Sequence, residues 1–162
     1  MEPYRTLAYR LLDALLQDLG DRLVSLAIFG SVARGEARHD SDLDVLVICE
    51  GLPESRMDRI GLFMMSERKL DGLLDQLYEQ GYWIVISPII LTPEEAIRAP
   101  AVFLDMTEDA VILYDREYFL GKLLERLRDR LREMGAERVW LGRRWYWRLW
   151  SGTGVRRVRI VG

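Results

Sequence analysis

The sequence predicts an α/β fold with a mixed sheet of four or five strands flanked by helices. Apolar runs typical of buried strands alternate along the chain with segments whose leucines recur at helical spacing. The 162 residues suit one domain of ordinary size, and an apolar fraction of 49% is enough for a hydrophobic core. We predict a main unit over residues 1–135 and an appendage over residues 136–162 that belongs to the same unit.

The first half of the chain supplies two helices and two strands. The predicted elements are a helix over 4–19, strands over 23–29 and 43–49, and one long helix over about 54–80. Each helix carries one apolar stripe at a spacing of three and four residues, which is typical of a helix packed on a sheet. Gly20 and Gly81 follow the two helices, at the position where a left-handed glycine commonly ends a helix.

The second half of the chain continues the alternation. The predicted elements are a strand over 82–91, a short helix from 93, a helix over 101–109, a short apolar strand or helix end over 110–114, and a helix over 117–134. The helix start at 93 is the best defined boundary, because Thr92 can cap the helix, Pro93 suits its first position and Glu95 completes a capping box.

Beyond residue 135 the composition changes. Four of the five tryptophans follow, interleaved with arginines: Trp140, Trp145, Trp147 and Trp150. Residues 1–115 hold 10 Lys and Arg against 21 Asp and Glu, a net charge of −11, whereas residues 116–162 hold 13 against 5, a net charge of +8. Three interpretations remain open for this segment: a protein interface, a platform for single-stranded nucleic acid, or packing of the tryptophans back onto the core. The acidic main body makes nucleic acid the least favoured, and we predict a protein interface that supports a symmetric homodimer.

Composition also limits where the protein works. No apolar run approaches the roughly 20 residues that a membrane-spanning helix needs, so we expect no membrane association. The single cysteine, Cys49, cannot form an internal disulfide. A lone cysteine fits a reducing compartment, and we therefore expect a cytoplasmic protein.

Chemistry concentrates between the first two predicted strands. Strand 23–29 halts at Gly30-Ser31, where glycine permits a sharp turn and a short helix can start at Ser31. The free N–H groups of such a turn, together with the helix dipole, favour an anion such as phosphate. Asp42 and Asp44 follow at i and i+2 on the next strand, where side chains share one face. Two adjacent carboxylates repel each other unless a cation lies between them, and oxygen ligands of this kind suit Mg²⁺ bound with substrate phosphates.

The same stretch resembles the signature of the minimal nucleotidyltransferases, a family of the DNA polymerase beta superfamily. The matching residues are Gly30, Ser31, Ala33, Arg34 and Gly35, then Ser41, Asp42 and Asp44. The resemblance implies a polymerase-beta-like nucleotidyltransferase core. It also implies that Asp42 and Asp44 are the catalytic residues that hold Mg²⁺ or Mn²⁺, while Gly30, Ser31, Arg34 and Ser41 bind a nucleoside triphosphate, with ATP as the first expectation.

The resemblance also implies a third carboxylate on a later strand, which binds metal and activates the attacking hydroxyl. The strand expected to carry it, 82–91, contains no acid, and Ser87 is the candidate for that position. A serine supplies no charge to a metal and is not a general base near neutral pH. Acids that could substitute from neighbouring helices are Glu94, Glu95 and Asp105.

The implied reaction is Mg²⁺-dependent transfer of a nucleoside monophosphate from a nucleoside triphosphate to an acceptor hydroxyl. Small members of the family often accompany a helical HEPN-type protein, and some act as antitoxins that nucleotidylate it, so such a partner is the leading acceptor by resemblance. The alternative is a catalytically weak or inactive module that binds nucleotide or a partner, because the third carboxylate is missing from the strand.

Overall fold

The computed structural model describes residues 2–142, 144–151 and 154–158. Its helices are α1 (Tyr4–Leu19), α2 (Gly30–Ala33), α3 (Arg56–Glu67), α4 (Asp71–Glu79), α5 (Pro93–Ile97), α6 (Val102–Asp109) and α7 (Phe119–Glu133). Its strands are β1 (Leu23–Phe29), β2 (Leu43–Cys49), β3 (Ile86–Leu91), β4 (Val111–Asp115), β5 (Glu137–Leu141), β6 (Arg144–Ser151) and β7 (Gly154–Val158).

The first four strands form one mixed sheet in the order β3-β2-β1-β4. Strand β1 runs antiparallel to both β2 and β4, whereas β2 and β3 are parallel. The predicted mixed sheet of four or five strands flanked by helices is therefore confirmed. β1 and β2 lie at its centre, which is why their sequences are almost continuously apolar and buried.

Helices cover both faces of this sheet. On β2, Val45 and Val47 face a core shared with α1 and the α3–α4 region, while Leu46 and Ile48 face a second core shared with α6 and α7. This alternation follows from the two-residue period of a strand. Each such apolar side chain, once fully buried, contributes roughly 1.5–3 kcal/mol, so the two cores fix the position of β2 and of the residues at its start.

Two predicted elements differ from the structure, one because it is divided and the other because it is shorter. The single helix over 54–80 was a wrong prediction, because a 3₁₀ turn at Arg68–Leu70 separates α3 from α4. At this turn the Lys69 ammonium pairs with an Asp18 carboxylate oxygen at 2.5 Å, and Leu70 is buried against α1. The predicted strand over 82–91 enters the ladder only at Ile86. By contrast, α5 begins at Pro93 with the predicted capping box.

The C-terminal segment forms a second sheet of three antiparallel strands in the order β5-β6-β7. Its register pairs Trp140 with Trp145 and Arg138 with Trp147, so these four side chains share one face. That face lies against α6, and Trp147 is only 3% exposed. Among the described residues, no helix is long and apolar enough to cross a bilayer.

Candidate active site

Gly30 begins the turn between β1 and α2 and packs directly on Asp44. Its backbone has φ of 73°, a left-handed conformation that residues other than glycine adopt only with strain. A Cβ at this position would lie 3.1 Å from Cγ of Asp44 and would overlap its carboxylate oxygen Oδ2. Glycine is therefore needed here for two independent reasons, and its absent side chain is what lets the carboxylate approach the turn.

Asp44 is the second residue of β2, and Asp42 directly precedes the strand. Asp44 is half-buried and is paired in the sheet with Phe29 of β1, the residue just before the turn. Asp42 precedes the strand and is exposed. The pKa of Asp44 is raised to about 6, first by burial and then by the charge of Asp42, while the charge of Arg34 opposes both. The structure therefore packs the Asp44 carboxylate on Gly30 with a second acid near enough to act on it, and anion binding by the turn stays a prediction.

This pKa shift predicts how Asp44 affects stability. The unfolded carboxyl ionises near 3.8, whereas the folded one keeps its proton up to about 6, so the free energy of unfolding falls as pH rises between these values. We expect Asp44→Asn to be more stable than the wild type near pH 7.5 without divalent metal. The gain is about 1 kcal/mol after discounting for solvent screening of a partly exposed group. Thermal unfolding in EDTA measures it, and the difference should vanish near pH 4; a wild type that matches the variant near pH 7.5 contradicts the prediction.

Ser87 lies beside Asp44, since the parallel register of β2 and β3 pairs these two residues. Side chains of register partners project to the same face of a sheet, so an acid at position 87 would adjoin the Asp44 carboxylate. Within the described ranges, no three His, Cys, Asp or Glu side chains form a group that could hold a metal ion. The assignment of Ser87 to the third-acid position stays a prediction.

The substitute acids are engaged elsewhere or exposed. Glu95 completes the capping box of α5 and pairs with Arg59 at 2.7 Å. Asp105 accepts two indole N–H hydrogen bonds, from Trp145 at 2.7 Å and from Trp147 at 2.9 Å. Glu94 is exposed on α5. The charges that act on Asp44 accordingly come from Asp42 and Arg34.

Ser41 shapes the loop that carries Asp42. Its hydroxyl accepts a hydrogen bond from the Arg38 backbone N–H at 2.8 Å. The Tyr4 hydroxyl donates to the carbonyls of Arg38 and Ser41, which fastens the loop to α1. In the structure Ser41 is thus a loop-forming residue, and its predicted contact with nucleotide stays a prediction.

Arg34, predicted to clamp phosphate, ends α2 with its guanidinium held by three neighbours. Its Nε donates to Glu36 at 3.0 Å, its Nη1 lies 4.0 Å from Asp109, and its Cζ lies 4.5 Å from the centre of the Trp145 ring. The side chain is 14% exposed. Arg34 therefore connects the turn at Gly30 to α6 and to the C-terminal sheet.

Sequence reasoning missed the acidic face of α6 that receives this sheet. Asp105 and Asp109 are four residues apart, on one face of the helix, and Arg138 binds Asp109 through both of its terminal nitrogens. The available signal was the alternation of Arg138, Trp140, Trp145 and Trp147 across a hairpin opposite this acidic pair. Trp145 and Trp147 follow the interpretation in which tryptophans pack back onto the core, whereas Trp140 stays 43% exposed. The homodimer stays a prediction.

Comparison with known proteins identifies the family. The family model described as the nucleotidyltransferase domain matches residues 9–138. The chain belongs to this family, and the expected nucleotidyltransferase is confirmed at that level.

One relative agrees with this assignment, and two solved structures are remotely similar in fold. A protein of Methanocaldococcus jannaschii, named as a candidate protein adenylyltransferase, is 36% identical over 114 residues, which span 69% of this chain and 72% of the relative. A toxin–antitoxin crystal structure with AMP-PNP is similar over 79% of this chain and 92% of its own, at 17% identity and a TM-score of 0.46. A complex of a tri-AMPylated HEPN toxin with an MNT antitoxin from Shewanella oneidensis is similar over 82% and 92%, at 15% identity and a TM-score of 0.43. TM-scores below 0.5 mark both structural likenesses as remote.

Proposed function

We propose that this protein transfers a nucleoside monophosphate from a nucleoside triphosphate, ATP foremost, to an acceptor hydroxyl with Mg²⁺ bound at Asp42 and Asp44. The single observation that carries the proposal is the packing of the Asp44 carboxylate on Gly30, because it brings one proposed metal ligand against the turn that we propose binds phosphate. Burial first and the charge of Asp42 second raise the pKa of Asp44, and a bound cation would offset both, so the two carboxylates fit a divalent metal. Mn²⁺ would suit the same oxygens.

The chain's own residues would orient the triphosphate. Backbone N–H groups of Gly30 and Ser31 would receive the β- and γ-phosphates, and Arg34 would bind a phosphate oxygen. The acceptor oxygen forms a bond to the α-phosphorus, the bond from that phosphorus to the bridging oxygen breaks, pyrophosphate leaves, and the hydroxyl proton passes to water. The metal, when bound, neutralises charge that develops on the phosphates.

We propose a protein as the acceptor, because the relative that shares 36% identity is named for adenylyl transfer to protein. A HEPN-type helical protein remains the acceptor that the signature's resemblance favours. A protein acceptor is compatible with an open site, since Asp42 is exposed just before β2.

A second candidate function rests on Ser87. If no other group takes up the role of the missing acid, the protein would bind a metal–nucleotide complex and a partner but transfer slowly. The protein would then be a nucleotide-binding or partner-binding module. This second function uses the same site as the first and differs from it only in the rate of nucleotidyl transfer.

Incubation of the full chain with ATP labelled at the α-phosphate tests the proposal. With Mg²⁺ and the protein encoded next to it, we expect label to become bound covalently to protein with release of pyrophosphate, and EDTA should abolish the transfer. Label that stays as ATP while the nucleotide binds in a Mg²⁺-dependent way would favour the binding module. Absence of any Mg²⁺-dependent ATP binding would overturn both functions.

A further inference from the structure

We propose that one residue of the C-terminal sheet, Trp145, acts at the nucleotide site as a positioning residue that holds the Arg34 guanidinium for the triphosphate. This inference rests on the proposed function, because it assigns a role in binding the same nucleotide. It adds a residue of β6, far from the signature in the sequence, to the residues that determine nucleotide affinity.

The first observation is the placement of the Arg34 guanidinium on Trp145. The separation of 4.5 Å between Cζ and the ring centre is within the range of a favourable cation–π contact. The contact leaves Arg34 only 14% exposed, so little water competes with it. The backbone N–H of Arg34 nevertheless donates to the Gly30 carbonyl at 3.2 Å, and Gly30 packs on Asp44, so Arg34 belongs to the same turn as the carboxylate site.

The second observation is that Trp145 is itself fixed. Its indole N–H donates to Asp105 at 2.7 Å, and its ring packs against Trp140 with centroids 4.9 Å apart. Arg138 also lies over the Trp145 ring, at 5.7 Å. A side chain held from several sides loses little freedom on binding, so it can impose one position on Arg34.

The third observation is how the remaining neighbours of Arg34 are arranged. Asp109 is already bound by both terminal nitrogens of Arg138, and Arg34 approaches it only to 4.0 Å. Glu36, the close partner at 3.0 Å, is 53% exposed. A phosphate oxygen can replace this exposed carboxylate at the Arg34 N–H groups, since guanidinium binds both in the same way. Trp145 supplies no acceptor oxygen, so its contact can persist while that exchange takes place.

Only Arg34 of this contact lies within the residues that the family model matches. The family match ends at residue 138, and Trp145 follows on β6. The C-terminal sheet therefore adds a constraint on Arg34 that the matched domain does not contain.

Calorimetric titration of the full chain with Mg²⁺–ATP tests the role of Trp145. We expect Trp145→Leu to raise the Kd about tenfold, and Trp145→Phe, which keeps an aromatic face, to raise it less than about threefold. Trp147→Phe is the matched control, because it also removes an indole donor to Asp105 but the Trp147 ring makes no cation–π contact with Arg34. It should lower the melting temperature and leave the Kd unchanged.

A double-variant cycle separates positioning from general damage. If Trp145 acts through Arg34, adding Trp145→Leu to Arg34→Gln should raise the Kd by less than about twofold beyond Arg34→Gln alone. Fluorinated tryptophan at position 145 offers a variant of native shape should Trp145→Leu fail to fold. Successive fluorines weaken the attraction of the ring for a cation, so the Kd should rise stepwise.

The two levels of proposal fail differently. A wild type that binds no Mg²⁺–ATP overturns the proposed function and the inference with it. A wild type that binds, combined with an unchanged Kd in Trp145→Leu or no trend across the fluorinated series, overturns only the inference. An equal additional loss in the Arg34→Gln background does the same, since Trp145 would then act independently of Arg34.

Discussion

The double variant Asp42→Asn/Asp44→Asn is expected to lose Mg²⁺-dependent binding of ATP, with a Kd raised at least about a hundredfold. Both substitutions keep the size of the side chain and remove a negative charge that would hold the cation. The expected loss is specific to the metal-bound nucleotide, because the Gly30–Ser31 turn and Arg34 remain in place. Calorimetric titration with ATP, with and without Mg²⁺, measures the change.

Asp40→Asn is the matched control for this variant. Asp40 is an exposed acid on the same loop, two residues before Asp42, and its substitution changes the local charge without touching the pair. We expect its ATP affinity to stay within about twofold of the wild type. Equal binding by the wild type and the double variant would show that the nucleotide site lies elsewhere.

Ser87→Asp is expected to raise the rate of nucleotidyl transfer by about a hundredfold, the lower end of what a well-placed general base contributes. The register of β2 and β3 puts the new carboxylate next to Asp44, where it could take the proton of the acceptor hydroxyl. Steady-state turnover with labelled ATP measures the gain. Ser87→Asn, which matches aspartate in size but carries no charge, should produce none.

The same substitution should make the metal-free protein less stable. A third negative charge beside Asp44, whose pKa burial and Asp42 already raise, adds like-charge repulsion at neutral pH. Mg²⁺ should restore the melting temperature because binding to the folded state stabilises it. A wild type that is already fully active, and that Ser87→Asp only harms, would show that the third acid does not belong at position 87.

The parts of the candidate site that the sequence predicts are those that depend on local spacing. Gly30 followed by the Asp42–Asp44 pair lies between two apolar runs, and the strand period alone predicts that both acids project to one face. Ser87 was named because the resemblance implies a third carboxylate on strand 82–91, and its pairing with Asp44 is a finding of the structure.

Features that depend on distant contacts could not be predicted in the same way. The break between α3 and α4 coincides with hydrogen bonds from Ser66 and Lys69 to Asp18, about fifty residues earlier, and the turn at Arg68–Leu70 itself contains no glycine or proline. The hydrogen bond from Trp145 to Asp105 spans forty residues. An aromatic and basic segment can satisfy its side chains on a partner or on its own chain, and composition alone does not distinguish the two.

The extent of the C-terminal sheet has a practical consequence for domain engineering. A protein shortened at the family boundary, residue 138, would lack β6 and with it both indole donors of Asp105. The half-buried Asp105 would then face the space left by Trp147, and Arg34 would lose its aromatic support. Boundaries chosen from family similarity would therefore remove part of this protein's own packing, and a fusion or swap intended to keep the catalytic unit whole should include the strand that contains Trp145.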